Sequence, residues 1–236
     1  MHKTAADTAA FLDLFLPKAA TLPHHVEIVL APPFPSIPAA WQALRNTRVR
    51  LGAQTMHWEL EGAFTGEVSA PMLREFGVSH VIVGHSERRA YCNETDEAVH
   101  RKVRTALEQG ITPIVAVGET LEQRNAGIID EHVIWQTRLA LRGLANVDLA
   151  RVILAYEPIW AIGTGRSCAP DEAQRVMRAI RGCLDGLSEA PILYGGSMNA
   201  QNVADYLREP DINGGLVGGA SLDPDGFASL IATATA

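Results

Sequence analysis

The chain has 236 residues, 47% of them hydrophobic and 20% charged, with a formal net charge of −7. That is enough chain for one α/β barrel or two smaller domains, and the acidic balance argues against a partner with a phosphate backbone, which attracts basic faces. No stretch approaches the roughly 18–20 uncharged apolar residues of a membrane span, and Asp7 and Asp13 interrupt the N-terminal apolar residues that a secretory signal would need. Cys92, Cys168 and Cys183 are an odd count without C-x-x-C spacing, which suits a reduced compartment and argues against a disulfide framework or a zinc ribbon. These features point to one domain over residues 1–236, in the cytoplasm, with neither nucleic acid nor membrane as a partner.

The chain opens on a helical pattern, Thr4 to about Ala20. Short apolar runs follow at Val26–Leu30, Val49–Ala53 and His80–Val83. Thr95 can cap a helix from Asp96 to Gln109, with Gly110 just past its end. Beyond the run Thr112–Val117 comes a helix candidate over Gly127–Leu144, then the run Val152–Tyr156. Pro170 suits the first turn of a helix reaching about Asp185, and the runs Pro191–Tyr194 and Gly215–Val217 complete the series. The runs are rich in Val, Ile and Leu without alternation, as in parallel strands buried on both faces. Their alternation with helices predicts right-handed βαβ units around a parallel sheet. Seven strands preceded by a helix fit two architectures: an eight-stranded closed barrel whose first strand is absent, or an open doubly wound sheet. The pattern leaves both open.

In a barrel the chemistry sits at the C-terminal ends of the strands. His85 follows Val81-Ile82-Val83-Gly84, and Glu157 closes the run Val152–Tyr156, held extended by Pro158. Either alone could be a structural histidine or a salt-bridge carboxylate. Together at one mouth they could move a proton beside a carbonyl, the carboxylate as base and the imidazole as electrophile. Three glycine-rich turns, Ile162–Gly165, Gly195-Gly196-Ser197 and Gly218-Gly219-Ala220-Ser221, follow strands. Such turns let backbone N–H groups reach a phosphate, although glycines also simply make tight turns. None forms a nucleotide loop. The segment Pro158–Gly165 is apolar in its middle, so it is either a lid over the site or a loop packed on the next helix.

The segments Val83–Arg89, Ala155–Gly165, Tyr194–Ser197 and Leu216–Leu222 resemble, in order and over almost the whole chain, the signatures of the triosephosphate isomerase family. The resemblance implies a TIM (β/α)8 barrel that isomerises dihydroxyacetone phosphate and D-glyceraldehyde 3-phosphate in glycolysis and gluconeogenesis, without metal or organic cofactor. It makes Glu157 the proton acceptor, His85 the neutral electrophile and Glu87 a supporting carboxylate, roles that belong to a well-characterised system. Gly163, Ser197, Gly218 and Gly219 match the phosphate grip. Pro158, Ile159, Trp160, Ala161, Ile162, Gly163, Thr164, Gly165 and Arg166 match the lid, which runs on to Cys168. Phe64, Thr65 and Gly66 match a loop that enters a neighbouring subunit, implying a homodimer, and Gln54 matches a buried amide near the site. Ala116 replaces a frequent cysteine and Arg166 a frequent lysine. The family's opening strand, which ends in Asn-Trp-Lys-Met, has no counterpart before Met1, so the barrel is expected to lack its first strand and the catalytic lysine. A catalytically silent barrel that holds phosphate or a partner is the alternative.

Overall fold

The structure, a computed structural model, describes residues 1–162 and 167–234. Seven strands, β1 (Val29–Leu30), β2 (Arg50–Ala53), β3 (His80–Val83), β4 (Thr112–Val117), β5 (Ile153–Tyr156), β6 (Ile192–Tyr194) and β7 (Gly214–Gly215), form one sheet in chain order, every pair parallel. A doubly wound sheet reverses its strand order part-way; this one never does, so the barrel architecture is the correct one. Ile114, Ala116 and Ala155, with Ile82, Ile153, Leu193 and Leu216 against them, form a small cluster made of strand and strand-end residues alone, which fills the inside of the curl. The larger core lies between the sheet's outer face and the helices.

The helices are α1 (Ala5–Ala19), α2 (Ile37–Leu44), α3 (Ala70–Glu75), α4 (Ser86–Tyr91), α5 (Asp96–Glu108), α6 (Leu121–Asn125), α7 (Ile129–Leu141), α8 (Asn146–Leu149), α9 (Pro170–Arg181), α10 (Val203–Leu207) and α11 (Pro224–Thr233). Among the described residues no helix is long and apolar enough to cross a membrane. Thr4 caps α1 by a reciprocal bond with Asp7, and Thr95 caps α5 through Ala98 N. Two expected helices are shorter than their patterns. The segment from 127 to 144 is helical only between Gly127 and Gly143, which take φ of +73° and +71° and break it at both ends. The helix from Pro170 stops before Gly182, and residues 185–187 form a separate 3-10 turn.

β1 is also shorter than expected, and β7 is both shorter and one residue earlier, Gly214–Gly215 against the expected Gly215–Val217. Each is an edge, paired on one side only, so residues without a partner drop out of the ladder. Between these edges the ring is held from outside, by α1 against α11. Phe15, fully buried, stacks on Phe11 and Phe227 with ring centroids 5.4 and 5.3 Å away, and Lys18 Nζ meets Asp225 Oδ1 at 2.7 Å. The exposed ion pair adds little, so the aromatic stack carries the seam. Phe15→Ala is expected to cost about 3–5 kcal/mol of stability, read from the urea midpoint. A loss below about 1 kcal/mol would show the seam to be held by something else.

Candidate active site

His85 stands just beyond β3, on a backbone locked from below. Gly84 takes φ +74°, and a Cβ there would meet Arg89 Nη2 at 2.8 Å and Ala116 O at 3.0 Å, so only glycine fits. Its amide donates to Glu94 Oε1 at 2.6 Å, and its carbonyl accepts from Arg89 Nε at 2.6 Å. Glu94 is buried and also accepts from Arg88 Nε (2.7 Å) and Lys102 Nζ (2.6 Å). Burial works to raise the Glu94 pKa, but Lys102, Arg88 and the Gly84 amide together bring it below the usual carboxylate range. His85 then serves as N-cap of α4, its Nδ1 accepting from Glu87 N at 3.3 Å. A backbone N–H can only donate, so the proton of the neutral ring sits on Nε2.

That Nε2 faces Glu157. The carboxylate, 2% exposed, places Oε1 at 2.9 Å from Nε2, close as an ion pair yet out of line for a hydrogen bond, while Oε2 accepts from Ser86 N at 2.9 Å. Burial pulls the His85 pKa down, but Glu157, then Glu87 and Glu94, outweigh it and raise it. Two glycines make room for Glu157. A Cβ on Gly118, just past β4, would lie 1.7 Å from Glu157 O, and one on Gly195, just past β6, would lie 2.9 Å from Glu157 Cγ.

Around this pair stand the turns. Ser197 Oγ donates to Ala161 O at 3.3 Å, tying the turn after β6 to the loop after β5. Gly218 and Gly219 are exposed beyond β7, and a Cβ on either would meet nothing within 4 Å, leaving open space over their backbone. Of the expected lid, Ile159–Ala161 form a 3-10 turn, and Gly163, Thr164, Gly165 and Arg166 lie outside the described residues. Trp160 is half-buried: its Nε1 donates to Glu119 Oε1 at 2.7 Å, and the Arg124 guanidinium lies 4.5 Å over its ring.

The family model described as "Triosephosphate isomerase" matches residues 1–234. The chain is 48% identical to the triosephosphate isomerase of Solibacter usitatus, over 98% of this chain and 95% of that one. It is 48% identical to that of Synechocystis sp. (98% and 94%) and 47% identical to that of Symbiobacterium thermophilum (99% and 93%). The chain belongs to the triosephosphate isomerase family.

Within that triosephosphate isomerase frame, His85, Glu157 and Ser197 are brought to one rim, and two expectations change. Gln54 is exposed, not buried, because it sits past the end of β2 and reaches over to donate to Ala31 O at 2.9 Å. The Glu87 carboxylate is exposed at 71% and 3.9 Å from His85 Nδ1; its backbone N–H is the closer support. Lys3 Nζ lies 5.1 Å over the Phe11 ring, so this lysine is engaged on α1. Phe64 is 42% exposed and packs its ring 4.3 Å from that of His57. Sequence reasoning missed Glu119 altogether. It is fully buried just beyond β4, holds Trp160 and the Tyr156 hydroxyl (3.1 Å), and keeps Oε2 without a hydrogen bond among the described residues. Burial raises its pKa against those bonds. The strand-end rule that selected His85 and Glu157 would have found it.

Proposed function

We propose that the chain interconverts dihydroxyacetone phosphate and D-glyceraldehyde 3-phosphate, in glycolysis and gluconeogenesis in the cytoplasm. The observation that carries this reading is the buried carboxylate of Glu157 beside His85 Nε2, at the strand ends where the glycine turns open. Glu157 leaves Ser86 N and takes a proton from the carbon next to the carbonyl; His85 donates from Nε2 to the carbonyl oxygen as enediolate charge develops. As Glu157 takes up the proton it loses its charge, and with it the main influence raising the His85 pKa, so the imidazole is kept neutral when it must donate. The open backbone of Gly218 and Gly219, with Ser197 and Gly163, would receive the phosphate, and the segment from Pro158 to Arg166 would cover it, anchored at its start by Trp160 on Glu119. Water exclusion there protects an enediol phosphate from losing its phosphate.

The exposed Phe64, with Thr65 and Gly66 at a loop tip, supports a homodimer. Light scattering should return twice the chain mass, and a monodisperse active monomer would refute the interface. The activity itself is tested by running the reaction in D2O. Deuterium should enter the product at the carbon reprotonated by Glu157. Phosphate binding without label or turnover would instead make the chain a silent barrel.

A further inference from the structure

The mouth of the barrel opposite His85 and Glu157 opens into a cleft of about 440 Å³ lined by Glu27, Arg50, Ser79, His80, Thr112 and Arg151. These residues stand at the N-terminal ends of β1 to β5 or just ahead of them, so the cleft and the active site lie at opposite ends of the same strands. The isomerisation uses none of them.

Their polar atoms are under-committed. The His80 side chain is only 7% exposed, yet its Nε2 makes no hydrogen bond among the described residues, and Glu27 Oε1 lies 3.7 Å away. Nδ1 is 2.9 Å from Ser79 Oγ, whose hydroxyl can donate to Leu51 O at 3.3 Å. In either tautomer Nδ1 is engaged with Ser79, so Nε2 is the ring nitrogen left for the cleft. The Arg50 guanidinium makes no hydrogen bond among the described residues and stays 3.9 Å from Glu27. Arg151 spends Nη2 on Leu107 O at 3.0 Å, at the C-terminal end of α5, and holds Asp148 only at 3.5 Å. The charges lining the cleft are thus two guanidinium groups and Glu27, with Asp148 beside Arg151 outside the lining, on a chain of net charge −7. Arginines at strand starts are commonly just solvated. A largely buried imidazole whose Nε2 opens into a cleft also lined by two loosely held guanidinium groups is a different matter, because these donor groups are left to face a common guest.

We infer that this cleft is a second oxyanion site, which takes a phosphate monoester or comparable dianion between Arg50 and Arg151 with His80 beneath it. Empty, the cleft keeps His80 neutral: burial lowers its pKa, Glu27 opposes this and Arg50 reinforces it. A bound dianion favours the imidazolium, whose Nε2 then donates to it, so anion binding takes up a proton at His80. By linkage, affinity for the anion rises as pH falls through the His80 titration.

The experiment titrates the full chain with sodium sulfate, a dianion over the whole range, at several pH values and at matched ionic strength, following the His80 ring by NMR. Sulfate should move the His80 resonances, raise the His80 pKa and bind more tightly at lower pH. Arg50→Ala and Arg151→Ala should each weaken sulfate about tenfold and leave kcat/KM for isomerisation unchanged. Glucose 6-phosphate is the second arm: binding tighter than sulfate assigns the site to an organic phosphate, and binding no tighter assigns it to the free ion. A His80 ring that neither anion moves, while the amides of Gly218 and Gly219 respond, overturns the inference. So does sulfate affinity at His80 that ignores both arginine substitutions.

Discussion

Glu157→Gln is expected to lower kcat by about 10³-fold or more while phosphate affinity stays close to that of the parent chain. The amide keeps the side chain's shape, and its oxygen can still accept from Ser86 N, where the carboxylate now sits at 2.9 Å. It cannot accept the substrate's proton. The loss therefore falls on the chemical step, with KM little changed. A second readout separates this role from a packing role. Glu157 is the largest influence raising the His85 pKa against burial, so the substitution must bring that pKa down. NMR titration of the His85 ring checks the direction. Unchanged turnover would remove Glu157 from the base position, and an unmoved His85 pKa would remove the electrostatic coupling between the two groups.

The parallel winding was legible in the sequence because strands buried on both faces leave an unmistakable trace, as in Thr112–Val117 and Val152–Tyr156. Helix starts were legible where a side chain makes the cap itself, as Thr4 and Thr95 do. Lengths were less legible. The run Val26–Leu30 is apolar but for Glu27, yet only Val29 and Leu30 pair with β2, since a ladder needs a neighbour and apolar sequence does not supply one. Likewise the pattern over 127–144 carries on through glycines whose backbone leaves the helical region.

At the site, His85 and Glu157 could be chosen from their strand-end positions, but their mutual distance could not, because 71 residues separate the two segments that meet at Ser86 N. Burial of polar groups was the least legible feature. Glu119 and Glu94 are buried while Glu87 and Gln54 are exposed, and nothing in the four residue types distinguishes them. What decides is the partner each finds: Lys102 and Arg88 for Glu94, Trp160 and Tyr156 for Glu119. The partners of Glu119 lie 37 and 41 residues away, and those of Glu94, six and eight residues off, reach it only because α4 and α5 turn towards each other around it, so residue type alone does not announce either.

Gly118→Ala is expected to cripple the site from behind without touching any group that meets substrate. Gly118 follows β4 where Val117 pairs with Tyr156, so its Cα faces the backbone of Glu157 across the ladder. A methyl there would sit 1.7 Å from Glu157 O and 2.7 Å from its carbonyl carbon, and both are main-chain atoms that no rotamer change can move aside. The two strand ends are also pinned, Glu157 N to Val117 O at 2.8 Å and Gly118 N to the Gln136 side chain at 2.9 Å. Relief therefore requires the Glu157 peptide to shift by about an ångström or more, and a misplacement of that size is worth about 10²-fold in rate. Overpacking adds a stability loss of about 1–3 kcal/mol. Because Gly218 and Gly219 lie beyond β7, away from the clash, KM should change far less than kcat. Circular dichroism and the urea midpoint establish that the variant is folded before its kinetics are read. A folded Gly118→Ala chain with the parent's kcat would mean that the backbone behind Glu157 yields freely, and that glycine at this position does not set the place of the base.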